Sequence, residues 1–213
     1  MPSTDGHRPP DAVAIASRYR RLERPLSGAV ALLVGVAAAV AMLSFPLLAA
    51  LGVVAVVVLV VRAPLFTSQG TARLATEASP EAVRADFAGP TPPSLAFQWG
   101  VADAVRETES GATYEFSSLF GLRSTTMAVE THREAGGDVR LVVTAGGRPW
   151  ATYEVTVTGG GEDTTVGLTW SSDRRFGLNR LPQWAIAERY RADALGAQGY
   201  TVVDREATLS LSG

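Results

Sequence analysis

From Thr71 onward the hydrophobic positions recur every second residue. Ala151, Tyr153, Val155 and Val157 alternate with Thr152, Glu154, Thr156 and Thr158. Val139, Leu141 and Val143 alternate around Arg140, and Val166, Leu168 and Trp170 alternate with Thr165, Gly167 and Thr169. Met127, Val129 and Thr131 oppose Ala128, Glu130 and His132. Successive strand side chains point to opposite faces, so this pattern predicts half-buried strands. Gly136-Gly137-Asp138, Gly146-Gly147 and Gly159-Gly160-Gly161 fall between them and suit hairpin turns. Short strands joined in sequence by tight turns predict an antiparallel meander.

The flanks of the meander carry helix signals. A strand over 71–78 is followed by Ser79-Pro80-Glu81, which supplies an N-cap, a first-turn proline and an acidic first turn. A short helix through about Phe87 follows, and Gly89-Pro90-Thr91-Pro92-Pro93 ends it. Asn179 is placed to cap a longer helix over 180–198, with Gly199 as its C′ residue. Trp184, Ala187, Tyr190, Ala194 and Leu195 share one side of that helix. A final strand over 200–211 sets Val203, Ala207, Leu209 and Leu211 on one face.

A different pattern precedes all of this. Residues 25–61 carry no charge at all. As one helix this run would be about 55 Å long, against a bilayer hydrocarbon core of roughly 30 Å. Pro46 disfavours helical geometry at Phe45, so the run divides into 26–43 and 47–61. The expectation is a two-helix transmembrane hairpin over 25–62. A polar, surface or disordered segment (1–24) precedes it, and a linker (63–70) joins it to a domain over 71–213. A cleaved signal peptide does not suit an apolar run of this length beginning after 24 polar residues. Arg18, Arg20, Arg21 and Arg24 precede the run, and Arg62 and Arg73 follow it. By the bias of arginine to the cytoplasmic side, an integral membrane hairpin places both termini and the C-terminal domain in the cytoplasm. Ala31, Gly35 and Ala39 form a small-residue face suited to the second helix or to a homo-oligomer.

Composition narrows the chemistry. The chain has no cysteine, which removes disulfides, thiol nucleophiles and cysteine metal sites. Its basic residues are all arginine, and the net charge of −2 carries no concentrated basic face for nucleic acid. His132 shares parity with Glu130 and Glu134, and this trio reads as an outward polar face rather than a proton shuttle or metal site. Glu107 and Glu109 lie beside the Ser110-Gly111 turn and read as a solvated hairpin end. No Gly-x-Ser-x-Gly elbow and no phosphate loop occurs. No catalytic residue, cofactor or metal is implied. Arg174, Arg175, Phe176 and Arg180 mix arginine with apolar groups, a composition suited to a membrane surface.

A short strand, a short helix, a long meander and a late helix are an order of elements that resembles the SRPBCC superfamily (START-like, helix-grip) over 71–198. The residues that carry the resemblance are Ala78-Ser79-Pro80-Glu81-Ala82-Val83 at the strand–helix junction and the 180–198 helix. The strand after that helix and the membrane hairpin depart from the family's usual plan. The resemblance implies an α+β fold, an antiparallel sheet packed on the long C-terminal helix. It also implies an interior cavity for an apolar ligand such as a lipid, isoprenoid or polyketide. Tyr114, Phe116, Met127, Val129, Tyr153, Val155 and Trp170, facing Trp184 and Tyr190, are the candidates to line it. The expected function is a membrane-anchored, non-catalytic domain that binds a hydrophobic ligand. The other reading is a membrane-anchored structural or protein-interaction module with no cavity. A cyclase-like enzyme lacks a credible nucleophile or base. The expected partners are the lipid bilayer and an apolar small molecule, with no nucleic acid.

Overall fold

The computed structural model describes residues 8–118, 123–134, 136–160 and 163–211. In chain order they form α1 (Pro10–Ser44), α2 (Leu47–Arg62), β1 (Phe66–Thr76), α3 (Pro80–Ala88) and α4 (Ala96–Trp99). There follow β2 (Ala104–Thr108), β3 (Gly111–Ser118), β4 (Arg123–Arg133), β5 (Val139–Ala145), β6 (Arg148–Gly160) and β7 (Asp163–Ser172). The chain closes with α5 (Leu181–Gly196) and β8 (Thr201–Leu211). Residues 1–7 of the N-terminal segment, and Gly161-Glu162 of the third glycine turn, lie outside the described residues.

The strands make one antiparallel sheet in the order β2-β3-β4-β5-β6-β7-β1-β8. Strands β4 to β7 are the ones that the alternation predicts, β2 and β3 extend the meander beyond them, and β1 closes beside β7 with β8 on the outer edge. The inward side chains form rows across the sheet. Val139 faces Val155, Val155 faces Leu168, and Leu168 faces Ala72. All four are buried, so one period-two pattern supplies one continuous apolar face. Gly146 and Gly147 both adopt positive φ (57° and 74°), which lets the β5–β6 hairpin turn in two residues.

Helices cover that face. Ser79 caps α3 by accepting a hydrogen bond from the Ala82 amide at 3.3 Å, and α3 buries Val83 and Phe87. Trp99 at the end of α4 is wholly buried and donates its indole N–H to the Pro92 carbonyl at 2.9 Å. Tyr200 is also buried; its ring meets Phe87 edge-on at 5.6 Å, and its hydroxyl donates to Asp86 at 2.8 Å. Each large side chain buried in this way stabilises the fold by about 1.5–3 kcal/mol.

The N-terminal third differs from its sequence reading. Helix α1 is one continuous helix of 35 residues that runs through Pro25. Its first half belongs to the packed body: Ala12 and Ala16 are buried, and the Tyr19 ring meets Phe97 at a tilt with centroids 5.0 Å apart. Arg8 donates to the carbonyls of Trp99 and Ala102, and Arg20 donates to that of Val101. The break at Pro46 is present, and α2 folds back along α1 so that Ala41 and Ala50 become buried. Among the described residues no helix is long and apolar enough to cross a membrane. Helix α2 has 16 residues, about 24 Å of rise, which is short of a hydrocarbon core of roughly 30 Å. The expected transmembrane hairpin is therefore corrected. The integral-membrane localisation, the cytoplasmic orientation read from the flanking arginines and the bilayer as partner go with it. So does the copy-to-copy contact on Ala31, Gly35 and Ala39, since it presumed helices side by side in a membrane. Ala31 and Gly35 instead line a groove of about 530 Å³ with Val58, Val61 and Arg180. Leu32, Leu33, Leu43, Leu47, Leu48 and Leu59 are exposed side chains on these two helices.

Smaller boundaries also move. Strand β1 starts at Phe66, inside the expected linker, because it pairs with β8 from Phe66 onward. The N-cap of α5 is Arg180 rather than Asn179, because a 3-10 turn over Leu178–Arg180 leads into the helix. In β8 a register shift opposite Arg73/Leu74 leaves Val203 outward, and Val203 and Leu211 are exposed.

Candidate ligand-binding site

Between the sheet and the helices lies a cavity of about 220 Å³. Ser68 of β1, Trp150, Ala151 and Tyr153 of β6, and Trp170 and Ser172 of β7 form its wall. The ladder explains this grouping: Ala151 pairs with Ser172 and Tyr153 with Trp170, so all four lie in neighbouring rows. Tyr19 of α1 and Gln98 of α4 approach from the helical side. Arg180, Gln183, Trp184 and Arg191 come from one side of α5 and its leading turn, where positions three, four and seven apart coincide. Arg174 and Phe176 complete the lining.

The indole of Trp170 can lie flat because Gly70 faces it across β1. A Cβ on Gly70 would come within 2.4 Å of the Trp170 ring and 2.2 Å of the Glu206 carbonyl. The Trp170 ring carries the Arg205 guanidinium at 4.2 Å. Arg205 pairs with Ala72, in the same row as Leu168 and Val155, so a charge enters an otherwise apolar row. Glu188 of α5 compensates it, accepting from Arg205 Nε at 2.8 Å and Nη2 at 3.2 Å. Glu188 also faces Arg191 Nη2 at 3.4 Å. Two guanidinium groups thus share one carboxylate beside the cavity.

Burial shifts these groups. Tyr153 is held above the ordinary phenol range by burial, with the Arg191 charge and hydrogen bond opposing. Arg205 is held below the ordinary guanidinium value by burial, while its hydrogen bond to Glu188 opposes the shift. Several buried polar atoms have no hydrogen-bond partner among the described residues. Gln98 Oε1 and Arg191 Nε belong to residues of the cavity, and Ser94 Oγ and Arg205 Nη1 to residues of a void of about 10 Å³ adjoining it. Thr131 Oγ1 and Arg140 Nε are the others. Native folds leave few such atoms, so their concentration here makes this the candidate site.

Of the cavity candidates, the structure brings together Tyr153, Trp170 and Trp184. Met127, Val129 and Val155 are buried core, Phe116 packs against that core, and Tyr190 is half-buried without lining the cavity. Tyr114 is buried and donates its hydroxyl to the Pro90 carbonyl at 3.0 Å. The membrane-surface candidates divide. Arg174, Phe176 and Arg180 line the cavity, both arginines being exposed, whereas Arg175, also exposed, does not line it. Phe176 is fixed by a backbone bridge to Phe66, with hydrogen bonds of 2.9 and 3.0 Å. Arg191 and Arg205 were missed; Arg205 shares strand parity with Ala207 and Leu209, and a charge on an apolar parity was the available signal.

The other sequence candidates are solvated. His132 lies 3.9 Å from Glu130 with both side chains more than half exposed, and Glu134 pairs with Arg140 at 2.9 Å. Glu107 and Glu109 are exposed at the β2–β3 hairpin. No group of three or more metal-ligating side chains occurs among the described residues.

No protein-family model matches the sequence, and no curated protein matches it. Among solved structures the chain is similar to a START superfamily protein from Mycobacterium smegmatis, at 10% identity over 62% of this chain and 97% of that one, with a TM-score of 0.42. It is similar to a conserved protein from Geobacillus kaustophilus, at 14% identity over 62% and 91%, with a TM-score of 0.42. It is also similar to the Mll3558 protein from Rhizobium loti, at 18% identity over 62% and 96%, with a TM-score of 0.42. Identities of this size carry no ligand or partner from those proteins to this chain.

Proposed function

We propose that this chain is a helix-grip-type domain that binds a small apolar or aromatic molecule in the cavity between the sheet and α5, without transforming it. The observation that carries this reading is the pairing of three tryptophan faces with a local excess of unpartnered polar atoms. Ligand sites are mostly apolar with a few placed polar groups, and this wall has that composition. The cavity is smaller than the 300–1,000 Å³ usual for drug-sized ligands, so it suits a ligand of one or two rings or a short chain. Binding without chemistry is favoured by the polar lining, which is arginine, glutamine, serine and tyrosine, with no histidine, aspartate or glutamate to act as a base and with Tyr153 held protonated by burial. Ser68 Oγ accepts from Trp184 Nε1 at 3.4 Å, and Ser172 Oγ donates to the backbone.

Three of the four tryptophans line the cavity, so intrinsic fluorescence reports occupancy. Titration of the full chain with 2-naphthol is expected to give a saturable one-to-one change in emission. Ala151→Trp, which projects an indole into the wall, is expected to abolish it, with Ser68→Phe as a second filling variant. Non-saturating quenching, or binding indifferent to both variants in folded protein, would refute the proposal.

A further inference from the structure

The cavity wall carries charge of one sign. Arg174, Arg180 and Arg191 line it, and no acidic side chain does. Arg191 is balanced through Glu188. Arg174 and Arg180 form no ion pair with a carboxylate among the described residues, and Asp173, the neighbour of Arg174, forms none with either. The two arginines are close enough to oppose one another. Burial first, and then the Arg180 charge, hold Arg174 below its ordinary value. Both residues are exposed, so water screens their repulsion; what the pair offers is two guanidinium groups that no carboxylate among the described residues engages, suited to the two-oxygen edge of a carboxylate or phosphate. The same cavity carries an apolar surface: Trp150, Trp184, Phe176 and Tyr153 line it with the arginines.

We propose that the ligand is an anionic amphiphile, with a carboxylate or phosphate seated between Arg174 and Arg180 and a compact apolar body enclosed by Trp150, Trp170 and Trp184. This rests on the cavity being the binding site, and it adds the chemical class of what binds. Arg180 also lines the neighbouring groove between α1 and α2, so the anionic end marks the junction of the two spaces.

The test is isothermal titration of the full chain with naphthalene-2-carboxylate, 2-naphthyl phosphate and naphthalene-2-methanol, which share one ring system. The two anions are expected to bind at least tenfold tighter than the alcohol, and the preference is expected to shrink as salt is raised. The stronger of the two anions tells a carboxylate ligand from a phosphate ligand. Arg174→Gln and Arg180→Gln should each remove most of the preference, whereas Arg175→Gln, outside the cavity lining, should preserve both the preference and the alcohol's affinity. Thermal melts of each variant guard against misfolding, and Arg180→Lys should retain part of the preference. Equal binding of alcohol and anions, or a preference that survives both glutamine variants, would overturn the anionic inference while leaving the cavity reading intact. Failure of all three probes to bind would overturn both.

Discussion

Glu188→Gln is the substitution whose consequence follows most fully from the geometry. The carboxylate accepts two hydrogen bonds from Arg205, at 2.8 and 3.2 Å, and stands 3.4 Å from Arg191. The side chains of Glu188, Arg205 and Arg191 are 18%, 13% and 23% exposed, so water compensates little. Glutamine keeps the shape but presents an NH₂ group to one guanidinium and removes the only negative charge between two positive ones. Breaking a fully buried pair costs about 3–5 kcal/mol, and a hydrogen bond to a charged group contributes about 1.5–3 kcal/mol. Partial exposure brings the expected loss to about 2–3 kcal/mol. For a chain of this size that is a fall in Tm of about 5–10 °C. Urea denaturation read by tryptophan emission measures it directly. Adding Arg205→Met to Glu188→Gln removes the stranded charge, and the double variant should recover at least about 1 kcal/mol over the single one. A Glu188→Gln protein within about 0.5 kcal/mol of the parent, or a strictly additive double variant, would refute the idea that one carboxylate balances two arginines.

Other consequences are equally measurable. Gly70→Ala forces a Cβ against Trp170 and the Glu206 carbonyl; it should cost about 1–3 kcal/mol, and near-ultraviolet circular dichroism should show a displaced indole. Trp99→Ala empties a wholly buried site and drops the hydrogen bond to Pro92, an expected loss of about 3–5 kcal/mol by chemical denaturation. Ser79→Ala removes the α3 cap and should cost about 1 kcal/mol. Burial holds the phenols of Tyr114, Tyr153 and Tyr200 above their ordinary value of 10.0. The unfolded chain therefore loses these protons near pH 10 while the folded chain keeps them, so their contribution is whole below about pH 10 and is lost as pH rises further. Each can steepen the loss by up to about 1.4 kcal/mol per pH unit, and absorbance at 295 nm should show these tyrosines ionising only as the chain unfolds.

The meander was legible because alternation and burial are one physical fact on a strand. Val139, Leu141, Val143, Tyr153, Val155, Val166 and Leu168 were read as inward and are buried. The Ser79 cap and the break at Pro46 were legible for a similar reason, since each acts within one turn of its own sequence. The first half of α1 was not. It docks through the small faces of Ala12 and Ala16 and through Arg8 and Arg20 reaching carbonyls more than 80 residues away, and neither leaves a periodic mark. The uncharged run misled because absence of charge reports a preference for leaving water without saying how far a helix reaches. The cavity was legible in part. Tyr153 and Tyr114 look alike in an alternating strand, yet one faces a space and the other fills one, a difference set by helices distant in sequence. Arg205 stood out only as a lone charge on an apolar parity.

The most direct measurement is a crystal structure of the full chain with naphthalene-2-carboxylate. An ordered ring among Tyr153, Trp170 and Trp184 is expected, with its carboxylate toward Arg174 and Arg180. A ring seated instead in the groove between α1 and α2, or no ordered ligand at saturating concentration, would contradict it.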